Sequence, residues 1–114
     1  MLAVEIIQMD SGVTRFILKG RILLGNSLTD AEQAATGLLD SGVRKLLIDL
    51  TETDTIDSAA LGMLILTYSR MNAVGGKTAL FGVNARVQNV LNITHADKFL
   101  SVHTTMDAAL LALA

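Results

Sequence analysis

A chain of 114 residues that is 51% hydrophobic, with a net charge of −2 and neither cysteine nor proline, is the size of one domain around one core. Lack of cysteine removes disulfides, thiolate-bound metals and thiol nucleophiles, and the weak acidity, with no basic stripe or aromatic platform, excludes a nucleic-acid surface. No apolar run reaches a membrane span and no basic-plus-apolar leader opens the chain, so one soluble, cytoplasmic domain over residues 1–114 is expected.

Residues 2–9 and 13–19 read as strands around the turn cluster Asp10-Ser11-Gly12, which predicts a β-hairpin. The run Gly20-Arg21-Ile22-Leu23-Leu24-Gly25 follows. Ser27 with Asp30 has the form of a capping box, opening a helix with Leu28, Ala31, Ala35, Leu38 and Leu39 on its apolar face and Gly42 at its close. Leu46, Leu47, Ile48 and Leu50, broken only by Asp49, predict an inner strand over 45–50, covered on both faces. Residues 51–55 are polar and turn-prone and predict a loop, from which Ile56 returns to the interior. Leu61, Leu64, Ile65, Tyr68 and Met71 recur at helical spacing and predict a helix over 58–73, stopped by Gly75-Gly76. Residues 78–83 predict a strand, Asn84 an N-cap before Val87, Val90 and Leu91, and 93–98 a connection. Residues 99–103 predict a short last strand, and Thr104 with Asp107 a capping box opening a helix that carries Leu110, Leu111 and Leu113. The class is α/β: a mixed β-sheet that begins with a hairpin and continues with alternating helices and strands.

Ser58 falls at the strand-to-helix junction, beside backbone N–H groups that have no intrahelical partner. Two readings stand side by side: a capping serine, or a phosphoacceptor at a helix start with Asp54 and Asp57 nearby. Other chemistries find little support. His95 and His103 have no ligand-spaced companions, so no metal is expected. Ser58 lacks the Gly-x-Ser-x-Gly elbow of a hydrolase, and Lys77 after Gly75-Gly76 opens a strand where a phosphate-loop lysine would open a helix. Asp49, Asp54 and Asp57 read as loop-solvating and capping carboxylates rather than a metal cluster. Around the 58–73 helix, Leu61, Leu64, Ile65 and Tyr68 share one face, with Met63 and Leu66 nearer another, which reads either as burial on two sides or as a partly exposed docking patch.

Ile56-Asp57-Ser58-Ala59-Ala60-Leu61-Gly62 resembles the I/M-D-S-S/T-G-L-G signature of the STAS domains that act as bacterial anti-sigma factor antagonists. The strand ending in Asp49-Leu50 and the helix ending in Gly75-Gly76-Lys77 extend the resemblance, as does Gly20-Arg21-Ile22-x-Leu24-Gly25, which is similar to stand-alone antagonists. The resemblance implies a non-enzymatic STAS-like domain without a cofactor. Its partner would be an anti-sigma factor that is also an ATP-using serine protein kinase, with Ser58 as phosphoacceptor and a PP2C-type phosphatase reversing the modification. The unphosphorylated form would bind the anti-sigma factor and release sigma. Asp57, Ser58, Ala59, Leu61, Gly62 and Met63 are then the expected partner-binding residues, Asp57 as the cap that positions Ser58 and Gly62 as a point of close backbone approach. Ala59 and Ala60 replace the family's Ser/Thr and Gly, and Arg21-Ile22-Leu23-Leu24 lacks the acidic residue common after the glycine at position 20. The alternative is a STAS subunit of a larger signalling or lipid-transport assembly in which Ser58 is never phosphorylated.

Overall fold

A computed structural model describes residues 4–114; Leu2 and Ala3 of the first predicted strand lie outside them. Strands β1 (Val4–Gln8) and β2 (Thr14–Leu18) form the expected antiparallel hairpin. A short β3 (Gly20–Ile22) leads to α1 (Asn26–Asp40), and β4 (Lys45–Asp49) is followed by β5 (Thr53–Ile56) and α2 (Ser58–Ala73). Then come β6 (Lys77–Phe81), α3 (Ala85–Ile93), β7 (Val102–His103) and α4 (Met106–Leu113). The main sheet has the order β1-β2-β4-β6-β7, antiparallel only between β1 and β2, while β3 and β5 make a separate two-stranded parallel sheet.

The two faces of β4 explain its nearly continuous apolar run. Leu46, Ile48 and Leu50 join the larger core beneath α1, α2 and α3, with Phe16, Leu18, Leu64 and Leu80. Leu47 points to the opposite face, into a smaller core with Val13, Ala79, Phe81, Ala109 and Leu113 under α4. A strand covered on both sides has no face left for polar alternation. Helix α1 buries Leu28, Ala31, Ala35 and Leu38, the stripe its spacing predicts, with Leu39 half-buried.

Four expectations are corrected. Residues 53–56 are a strand, not part of a loop: β3 supplies a partner for this polar segment, with Thr55 opposite Arg21 and Ile56 opposite Ile22. Gly25 (φ 128°) caps α1, while Ser27 turns back, its hydroxyl donating to Leu23 O and accepting from Leu23 N–H, both at 3.1 Å. Thr105, not Thr104, caps α4 by accepting from Ala108 N–H at 3.1 Å, and Leu111 of α4 is exposed. The last strand shrinks to Val102–His103, because a 3-10 turn at Ala96–Lys98 takes up the preceding chain and leaves Phe99 exposed.

Candidate functional site

The site is assembled where β4, β5 and α2 follow one another. At the end of β4, Asp49 is fully buried and receives Arg15 Nε at 2.9 Å, Arg15 Nη2 at 2.6 Å, Thr51 N–H at 2.9 Å and Thr51 Oγ1 at 2.6 Å. Burial pushes this carboxyl upward, but the Thr51 hydroxyl and N–H and the Arg15 guanidinium outweigh it and hold Asp49 below the ordinary aspartate value. The turn it fixes packs against Gly82, whose φ of +83° and contact with Thr51 leave no room for a side chain. Thr53 is buried and donates its hydroxyl to Leu18 O at 2.8 Å, tying β5 to the end of β2.

Asp57 is the N-cap of α2. One carboxylate oxygen accepts Ala60 N–H at 2.9 Å; the other accepts Leu24 N–H at 2.8 Å, across 33 residues of sequence. These neutral donors, Leu24 first and Ala60 second, hold its carboxyl below the usual aspartate range. One side chain thus clamps the β3–α1 loop to the first turn of α2, and Ser27 braces the same loop from behind.

Ser58 is the first helical residue, directly after this cap, and it is exposed. The capping role belongs to Asp57, so the Ser58 hydroxyl is not needed to close the helix. Gly62, one turn on, is exposed too, and a Cβ built on it meets nothing within 4 Å. No neighbouring backbone of this chain approaches it, so the helix surface beside Ser58 is open. Ala59 is half-buried. Leu61 and Met63, expected at a partner-facing surface, lie in the larger core, each 5% exposed, because α2 packs on the sheet and on α1 together. Ile65 and Tyr68 are half-buried, and Leu66, expected on the same side as Met63, is 48% exposed.

The remaining polar residues are occupied elsewhere. Asp54 pairs with Arg86, and Asn84 both caps α3 through Val87 N–H and donates to Thr53 O and Asp54 O. Asp49, Asp54 and Asp57 therefore have separate partners, and no cluster of three metal-ligating residues occurs among the described residues. His103 shares a 2.7 Å hydrogen bond with Ser101 Oγ, and no side-chain hydrogen bond joins Ser58 to either histidine among the described residues. No helix of the described residues is long and apolar enough to cross a membrane. The Leu24–Asp57 bond is the component that sequence reasoning missed. Its donor is a backbone N–H, which leaves no mark on residue identity.

The STAS domain family matches residues 6–109. A Thermotoga neapolitana protein provisionally named an anti-sigma factor antagonist is 36% identical over 72 residues, spanning 63% of this chain and 64% of its own length. A similarly named Thermotoga maritima protein is 29% identical over the same span. The chain thus matches just under two thirds of these relatives. Among solved structures, an anti-sigma factor antagonist from Mycobacterium paratuberculosis superposes with a TM-score of 0.84 at 22% identity, over 96% of this chain and 92% of that one. The phosphorylated form of the Bacillus cell fate determinant SpoIIAA superposes with a TM-score of 0.72 at 14% identity, over 93% of this chain and 96% of that one. Likenesses at such identities establish the fold.

Proposed function

We propose, because this chain belongs to the STAS domain family, that it is an anti-sigma factor antagonist whose binding is switched by phosphorylation of Ser58. Its partner is an anti-sigma factor that is also an ATP-using serine kinase, and a PP2C-type phosphatase restores the binding form. The observation that carries this reading is the division of labour at the start of α2: Asp57 caps the helix and Ser58 stands exposed beside it without a structural duty. Asp57, Ser58, Ala59 and Gly62 form the contact, while Leu61 and Met63 act from below by fixing the helix.

A phosphate there adds about −1.5 to −2 charges and three acceptor oxygens. The helix N-terminus favours it by roughly 0.3–1 kcal/mol. The adjacent Asp57 carboxylate opposes it by roughly 1–2 kcal/mol at the high effective dielectric of an exposed site. The net cost of about 1 kcal/mol is small against a typical ~5–15 kcal/mol of folding free energy, so the fold survives. At an interface the phosphate must be desolvated or displace partner atoms, and a loss of ~3 kcal/mol weakens binding about a hundredfold.

The test is titration of Ser58→Ala and Ser58→Asp against the cognate kinase, with circular dichroism as the folding control. Ser58→Ala should bind constitutively, and Ser58→Asp about a hundredfold more weakly while remaining folded. Equal affinities overturn the switch and leave the second reading, an assembly subunit whose Ser58 is never modified.

A further inference from the structure

The main sheet has two edges, and they are treated differently. At one edge β7 is two residues long and half-buried, too short to template another strand. At the other edge β1 runs for five residues with no proline, lysine or bulge, and Ile6 and Ile7 are 43% and 37% exposed on its opposite faces. Its single charge, Glu5, is paired with Lys19 at 2.7 Å.

The hairpin register determines which backbone groups face outward. Met9 N–H donates to Val13 O at 2.8 Å, which makes Met9 and Val13 a hydrogen-bonded pair. Antiparallel ladders alternate, so Ile7–Arg15 and Glu5–Ile17 also exchange bonds inward. Val4, Ile6 and Gln8 then direct their N–H and C=O groups away from β2, to a side where no strand pairs with them among the described residues.

We infer that the β1 edge is a self-association surface, on which a second copy of this chain adds its own β1 antiparallel and continues the sheet across a two-fold axis. Over the described residues of β1, Val4–Gln8, one register satisfies both constraints with full overlap. Outward-facing groups must meet outward-facing groups, and a two-fold perpendicular to the sheet keeps each face on its own side. The axis then passes through Ile6: Ile6 lies opposite Ile6 of the second copy, and Val4 opposite Gln8. The two Ile6 side chains meet on the face that carries α1, and each Ile7 lies across from a Glu5 already neutralised by Lys19. Strand pairing supplies the hydrogen bonds, and the isoleucines supply the apolar contact. An edge of about 17 Å buries less than the roughly 1,200 Å² of a stable interface, so the pairing is weak and depends on protein concentration.

The absence of cysteine permits a direct test of contact and register. Ile6→Cys, treated at ~200 µM protein with a short bifunctional thiol cross-linker, should cross-link to a dimer, because residue 6 meets itself at a Cα separation of about 5.5 Å. Gln8→Cys should cross-link at least tenfold less, since residue 8 meets residue 4, and Leu24→Cys serves as the exposed control. Sedimentation velocity of the unmodified chain over the same concentrations should show a dimer that Ile6→Lys abolishes and Leu111→Lys leaves intact. A chain that stays monomeric at 500 µM, or equal cross-linking of the three cysteine variants, overturns the inference. Neither measurement involves Ser58 or a kinase.

Discussion

Asp49 and Asp57 stand at equivalent points, the first closing β4 and the second following β5, yet they use their charge in opposite ways. Asp49 is fully buried and answers a guanidinium, so its charge is committed to holding β2, β4 and the following turn together. Asp57 lies near the surface and accepts only neutral backbone N–H groups, from Leu24 and Ala60. Its negative charge is not cancelled by any cation within salt-bridge range among the described residues. The first arrangement makes a site rigid. The second fixes geometry and still presents a negative field beside Ser58, where a change of charge can be felt by an incoming surface.

The contrast can be broken most severely on the buried side. Arg15→Ala should destabilise the fold by about 2–4 kcal/mol in urea titration, since it leaves the Asp49 carboxylate buried with only Thr51 for support. The partial exposure of Arg15 keeps the figure below the upper range for such pairs. Asp57→Ala should cost about 1–2 kcal/mol, a cap plus one cross-segment hydrogen bond. Its sharper signature is local: amide exchange at Leu24 should accelerate at least tenfold while the β4 amides stay protected. If the Leu24 amide exchanges equally slowly in Asp57→Ala, the clamp between the two segments is refuted.

Acid extends the comparison. Both carboxyls are held below their ordinary value in the fold, so their contribution is fully present above about pH 4, the unfolded value, and is lost as pH falls through the folded value. Urea stability should therefore decline below about pH 4. Asp57→Asn should flatten part of that decline without changing the midpoint of global acid unfolding as much as Asp49→Asn does. The smallest effect belongs to Asp54–Arg86, an ion pair with both side chains largely exposed. Arg86→Ala should change stability by less than about 0.5 kcal/mol.

Much of this was legible in the residues. The apolar run of β4, the helical spacing of α1 and α2 and the Asn84 cap are local patterns, and each formed where its pattern lies. What stayed hidden depends on distant partners. The segment Thr53–Ile56 has two threonines and an aspartate in four residues, and only β3, some thirty residues earlier, makes it a strand. Ser27 is a good cap by type, but the Leu23 backbone claims its hydroxyl. Thr104 and Thr105 are interchangeable by composition, and only the geometry of the turn selects the second. Met63 is a partner residue by family resemblance alone, while its helical spacing fits burial equally well, and α1, distant in sequence, decides for burial.

The order of the main sheet has a consequence for how the protein is made. From β1 through β2, β4 and β6 to β7, strand position follows chain position without a reversal. A polypeptide leaving the ribosome therefore never has to open a finished pair to insert a later strand. The hairpin can form first, and each strand–helix unit then docks on the edge left by the one before. With no proline in the chain, no prolyl isomerisation should interrupt that growth, and refolding from urea should show no slow phase sensitive to prolyl isomerase. Such a strand order lets the sheet grow in the direction in which the chain is translated.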